Sequence, residues 1–177
     1  MIWDLDELDP EHTEATPVSA VQYARQLIEN GDGASLAEAA AIYKSILTDP
    51  TLQPGPYRAE IHNIYGSLLC LQAQNTSDSA TALGLLDQAR TLLLSALTVR
   101  QRRTMPEAWA TSSANLALVY ITRYVLTDSR LDVMHAHMAL DGTGDVFAAA
   151  GDQSSGAWVH SLHQYLIDLV ERRQALR

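Results

Sequence analysis

One helical pattern occurs twice along this chain. Arg58-Ala59-Glu60 leads into Tyr65-Gly66-Ser67-Leu68-Leu69, and Trp109-Ala110-Thr111 leads into Leu116-Ala117-Leu118-Val119-Tyr120. A second run rich in Leu and Ala follows each of them. A helical hairpin that recurs buries its apolar face only against its neighbours, so the echo directs the chain toward a stack of hairpins. No segment alternates with period two for long enough to make a strand. The expected class is therefore all-α, with about seven helices joined by short links.

Local punctuation sets the expected helix limits. Pro17 suits a helix start, and Gly31 and Gly33 interrupt the pattern that follows it. From Ala34 to Thr48, the residues Leu36, Ala39, Ala40, Tyr43, Ile46 and Leu47 recur at helical spacing and form one apolar stripe. Pro50 ends that helix because it cannot continue the hydrogen-bond ladder. A stiff Gln53-Pro54-Gly55-Pro56 turn precedes a helix over 57–74, and Ser77 or Asp78 can cap a helix over 79–102. That helix carries two stripes, Leu86/Ala89/Leu93/Ala96/Leu97 and Leu85/Leu92/Val99, which predicts a place between two layers. Further helices are expected over 106–126 and 129–140. Asp141-Gly142-Thr143-Gly144-Asp145 should end or kink the second of these, and a last helix is expected over 157–174.

Charge is distributed unevenly. The formal net charge is −9, and Asp4, Asp6, Glu7, Asp9, Glu11 and Glu14 fall in the first sixteen residues with no Lys or Arg among them. Residues 1–16 thus form an acidic arm with Trp3, Leu5 and Leu8 as apolar anchors, and 17–177 form the helical domain. Acidity disfavours a nucleic-acid partner, because phosphate binding needs a basic surface. Arg100, Arg102 and Arg103 make a small basic cluster that reads as a solvated helix end. The apolar runs fall short of a membrane span and the acidic N-terminus is unlike a signal peptide, so a cytoplasmic location is expected. Cys70, the only cysteine, lies in Leu68-Leu69-Cys70-Leu71 and is expected to be a buried free thiol.

The segment Leu85-Leu86-Asp87-Gln88-Ala89 through Ala96-Leu97-Thr98-Val99-Arg100 is followed by Pro106-Glu107-Ala108-Trp109-Ala110-Thr111 and by Asn115-Leu116-Ala117-Leu118-Val119-Tyr120. Together they resemble a tetratricopeptide repeat, of the longer kinesin-light-chain-like variety with its Asn-Leu-Ala/Gly-x-x-Tyr core. Ala117, and Gly66 one repeat earlier, stand where the family places a small residue so that two helices can approach. The resemblance implies a solenoid of about three helix pairs with a C-terminal capping helix. It also implies a concave groove faced by Glu60, Asn63, Ser67, Cys70 and Leu71, then by Thr111, Ala114, Leu118, Ile121 and Thr122.

Such a groove would take an extended peptide or an amphipathic helix, so the implied function is an adaptor or a secretion-type chaperone with a protein or peptide partner. A self-associating subunit without a peptide ligand, for example a homodimer, is the alternative, and a metal-binding helical protein the less favoured one. The arm anchors Trp3, Leu5 and Leu8 could dock on the protein's own surface or be read by a basic partner. Catalytic signatures are missing from the sequence. Gly142-Thr143-Gly144 follows no strand and precedes no Lys, and no Gly-x-Ser-x-Gly occurs. Neither enzyme activity nor a cofactor is expected. His135 and His137 point about 200° apart on a helix. His160 and His163 share a face but would need a facing helix to hold an ion, so no metal is expected either.

Overall fold

The structure is a computed structural model that describes residues 15–176, with side chains from residue 20 onward. The arm anchors Trp3, Leu5 and Leu8 lie outside the described residues. Within them the chain forms eight helices and no strand. These are α1 (Ala15–Asn30), α2 (Gly33–Thr48), α3 (Pro56–Gln74), α4 (Ser79–Val99), α5 (Pro106–Thr127), α6 (Arg130–Leu140), α7 (Thr143–Ala150) and α8 (Gln153–Ala175).

The helix limits follow from local chemistry. Asp32, Asp78 and Asp152 cap α2, α4 and α8, each accepting a backbone N–H of the first turn. Those same hydrogen bonds, led by the side-chain bond in each case, hold the three carboxyls below the ordinary aspartate range. Pro56 and Pro106 open α3 and α5. Asp141 and Gly142, the latter in the left-handed region at φ 72°, form the two-residue link between α6 and α7, where a helix end or a kink was expected. Two expectations need correction. α4 stops at Val99 rather than at residue 102, and α8 starts at Gln153 rather than at residue 157. The second difference arises because the Asp152 cap recruits Ser155 N and carries the helix through Gly156.

Each helix packs on its predecessor in the chain, most extensively α4 on α3, and α3 also touches α5 while α5 touches α7 and α8. α3 and α5 therefore lie deepest. From Ala59 to Cys70 only His62 escapes burial, and from Ala110 to Ala117 every residue is buried. The α3–α4 contact turns on Gly66. A Cβ placed there would lie 2.9 Å from Leu93 Cγ and 3.1 Å from the Ala89 carbonyl oxygen, so the helices meet backbone to side chain as the small residue implied.

α4 is long and apolar enough, at mean hydropathy 1.2, to pass the length and composition test for a membrane span. Its Leu86/Ala89/Leu93/Ala96 stripe is nonetheless buried in the protein. Leu85 and Leu92 of the second stripe are half-buried and pack against the core, Val99 is half-buried, and Leu94 is exposed, so the second stripe is the shallower of the two. The last helix is fastened by Arg173. Its guanidinium donates to the carbonyls of Tyr124 (3.1 Å) and Val125 (2.6 Å) and to Asp128 Oδ1 (3.0 Å), and it lies over the Tyr124 ring. A cation supplied by α8 thus adds donors to the last-turn carbonyls of α5, one of which, Tyr124, also accepts the Asp128 backbone N–H.

Candidate functional site

Glu60 is the one carboxylate of α3, and it sits in an otherwise uncharged, buried stretch. An isolated buried carboxylate is costly unless it is paired. Its partner is Arg100, the residue that ends α4, whose side chain turns inward and is fully buried. This overturns the reading of Arg100 as a solvated helix end: a charge 40 residues away, invisible to local patterning, draws it inside.

From Arg100, Nη1 donates to Ser112 Oγ (3.0 Å) and to the Ala108 carbonyl (3.3 Å). The Ser112 hydroxyl donates to Asn63 Oδ1 (3.0 Å), and Asn115 Nδ2 donates to the same oxygen (3.3 Å). Five buried polar residues thus tie α3, the α4–α5 corner and α5 together. The Arg102 guanidinium stays on the surface, lying over the Trp109 ring and against Gly142 at the α6–α7 link. The polar layer holds no cysteine or histidine that could act as a nucleophile or base. Its chemistry is that of a fastening, where removing one charged partner would strand the other.

This layer also fixes where the groove candidates lie. Glu60, Asn63, Ser67 and Thr111 are buried, as are Cys70, Ala114 and Ile121. Leu71, Leu118 and Thr122 are half-buried. The candidates on α3 and α5 are brought together, but against each other. Besides the Asn63–Ser112 bond, Gln74 Nε2 donates to Thr122 Oγ1 at 3.0 Å and Cys70 Sγ lies 3.9 Å from it. Among the described residues Asn63, Cys70 and Thr122 thus take part in contacts between α3 and α5. Cys70 is a buried free thiol as expected, and burial pushes its pKa up to about 12.

The outward surface was not singled out from the sequence. On α6, Leu131, Met134 and Met138 are 56%, 50% and 68% exposed and recur at i, i+3 and i+7, forming an apolar stripe on the side away from the core. The signal was present as periodicity. Asp132, Ala136 and Leu140 mark the buried face of the helix, which leaves the Leu/Met set facing water. Beside the stripe, α8 brings His163 to His137 with ring centroids 5.2 Å apart, so the facing helix that sequence reasoning required for one of the α8 histidines is α6. His135 instead lies against the Tyr120 ring.

Between α5, α6 and α8 a hollow of about 240 Å³ is lined by Tyr124, Arg130, Val133, Val170, Arg173 and Gln174. That is less than the roughly 300–1,000 Å³ of small-molecule sites, and Arg173 is already engaged at the end of α5. Among the described residues no three His, Cys, Asp or Glu side chains are placed to hold an ion together. Compared with protein-family models, curated proteins and solved structures, the chain matches none.

Proposed function

We propose that this protein is a helical-repeat interaction module, tetratricopeptide-like in plan, that binds another polypeptide and carries out no chemistry of its own. One observation carries the reading: the Leu131/Met134/Met138 stripe, which leaves three large apolar side chains of one short helix at least half exposed. An aligned apolar set on the outer face of a helix whose other face is buried through Asp132, Ala136 and Leu140 marks a contact surface. Methionine suits such a surface because its unbranched thioether chain adapts to different partners. The order of hairpins and the close α3–α4 approach at Gly66 support the repeat plan. The docking face in this proposal is the outer side of α6; of the inward positions first considered, Glu60, Asn63, Ser67 and Thr111 are buried and Leu71, Leu118 and Thr122 half-buried.

The test compares the wild-type protein with Leu131→Glu, a change on an exposed side chain that leaves the core intact. Affinity capture from the native lysate should retain a discrete partner on the wild type and lose it on the variant. An identical captured set on both would overturn the assignment of this face. Light scattering over a concentration series addresses the second reading. A mass that doubles with concentration for the wild type but not for Leu131→Glu identifies a second copy of the chain as the occupant.

A further inference from the structure

The seam between α6 and α8 gathers four soft or borderline donor side chains at the surface. Met134, His137 and Met138 stand at i, i+3 and i+4 on α6, a spacing that makes Met134 the neighbour of both of the others. All three are exposed, and His163 of α8, also exposed, meets His137 from the facing helix. Two imidazoles that bind one ion through nitrogen at about 2.0–2.1 Å, at a tetrahedral angle, hold their ring centres roughly 5.2 Å apart. The rings of His137 and His163 are 5.2 Å apart, inclined at 63°. Because both rings face solvent, rotation about their terminal torsions can turn a nitrogen of each toward a common point.

We propose that Met134, His137, Met138 and His163 form a binding site for a soft monovalent d¹⁰ cation, Cu(I) or its analogue Ag(I). The donor set makes the choice. A divalent zinc site seeks three or four nitrogen, thiolate or carboxylate ligands, and no such trio is placed together among the described residues. Thioethers are poor ligands for hard cations and good ones for Cu(I), so the two methionines complete a set that zinc would find incomplete. Their three rotatable bonds let the sulfurs swing onto an ion held by the histidine pair.

Neither thioether carries a proton, so binding there releases none. Cys70, the obvious competitor for a soft ion, is sealed in the core with its thiol protonated.

The experiment titrates the tag-free full chain with Ag(I) as silver nitrate and follows the methionine methyl groups by NMR. The chain has four methionines, Met1, Met105, Met134 and Met138. The methyl signals of Met134 and Met138 should shift together and saturate at one equivalent. His137→Gln and His163→Gln should each weaken binding at least tenfold, and Met134→Leu/Met138→Leu should abolish it. All of these side chains are exposed, so the variants should keep the wild-type melting curve. Excess Zn(II) should not displace the silver. Equal shifts of all four methionines, wild-type affinity in either histidine variant, or displacement by equimolar Zn(II) would each overturn the site. Leu131→Glu retains all four donors, so silver binding and polypeptide docking can fail independently.

Discussion

Replacing Gly66 with alanine sets two opposed effects of known size against each other. Alanine is the better helix former by about 0.8–1.0 kcal/mol, so on an open helix face the change stabilises. At Gly66 the new Cβ would lie 2.9 Å from Leu93 Cγ and 3.1 Å from the Ala89 carbonyl oxygen. The carbonyl belongs to the α4 ladder and cannot rotate away, and Leu93 is fully buried with nowhere to move. Overpacking of this kind costs about 1–3 kcal/mol. The net expectation for Gly66→Ala is a loss of about 1 kcal/mol.

Gly84 supplies the matched control. It sits inside α4 with no atom within 4 Å of a built Cβ, so Gly84→Ala should realise the whole propensity gain. Two chemically identical substitutions should therefore differ by about 2 kcal/mol, or roughly 4–8 °C in melting temperature for a chain of this size. Urea unfolding at equal m-value reads the difference directly as a shift in midpoint. If Gly66→Ala proves as stabilising as Gly84→Ala, the α3–α4 approach is looser than described and the hairpin packing argument fails.

Three further outcomes are expected. Arg100→Met strands the Glu60 carboxylate in the core and should cost about 3–5 kcal/mol in urea unfolding, whereas Arg100→Met combined with Glu60→Leu should recover most of that loss; additive losses would refute the coupling. The Cys70 thiol stays protonated to about pH 12 when folded but ionises near 9.0 when unfolded. Its contribution is therefore intact below pH 9 and is lost as pH rises, by about 1 kcal/mol between pH 9 and 10, and Cys70→Ala should flatten that alkaline fall in midpoint. Arg173→Ala removes the donor that closes the end of α5, so backbone amides of residues 170–175 should exchange faster while the global midpoint moves little; unchanged exchange would mean that α8 is held by its apolar face alone.

The acidic caps and the prolines made the helix ends readable, because a cap or a missing N–H acts within four residues of itself. The stripe Leu36, Ala39, Ala40 and Tyr43 could be named as core for the same reason: a helix turns these positions to one side whatever it meets, and all four are buried. The start of α8 was misplaced because Gly156 looked like a breaker. In the fold it tolerates a helical position beside Phe147, and Asp152 had already begun the helix. The candidate site was far less legible. Glu60, Asn63 and Thr111 were assigned to a groove on the resemblance to a tetratricopeptide repeat, and helix periodicity carries no information about the angle between two helices.

By itself the sequence determined the all-helical class, most of the segment limits, the buried thiol of Cys70 and the need for a small residue at position 66. All of these depend on spacings shorter than two helical turns or on the size of one side chain. Tertiary structure alone decided that Arg100 turns inward to Glu60, that Asn63 of α3 meets Ser112 and Asn115 of α5, and that His137 meets His163 beside an exposed methionine pair. Each of these joins residues more than two dozen positions apart, and which distant side chains meet is set by how the helices pack.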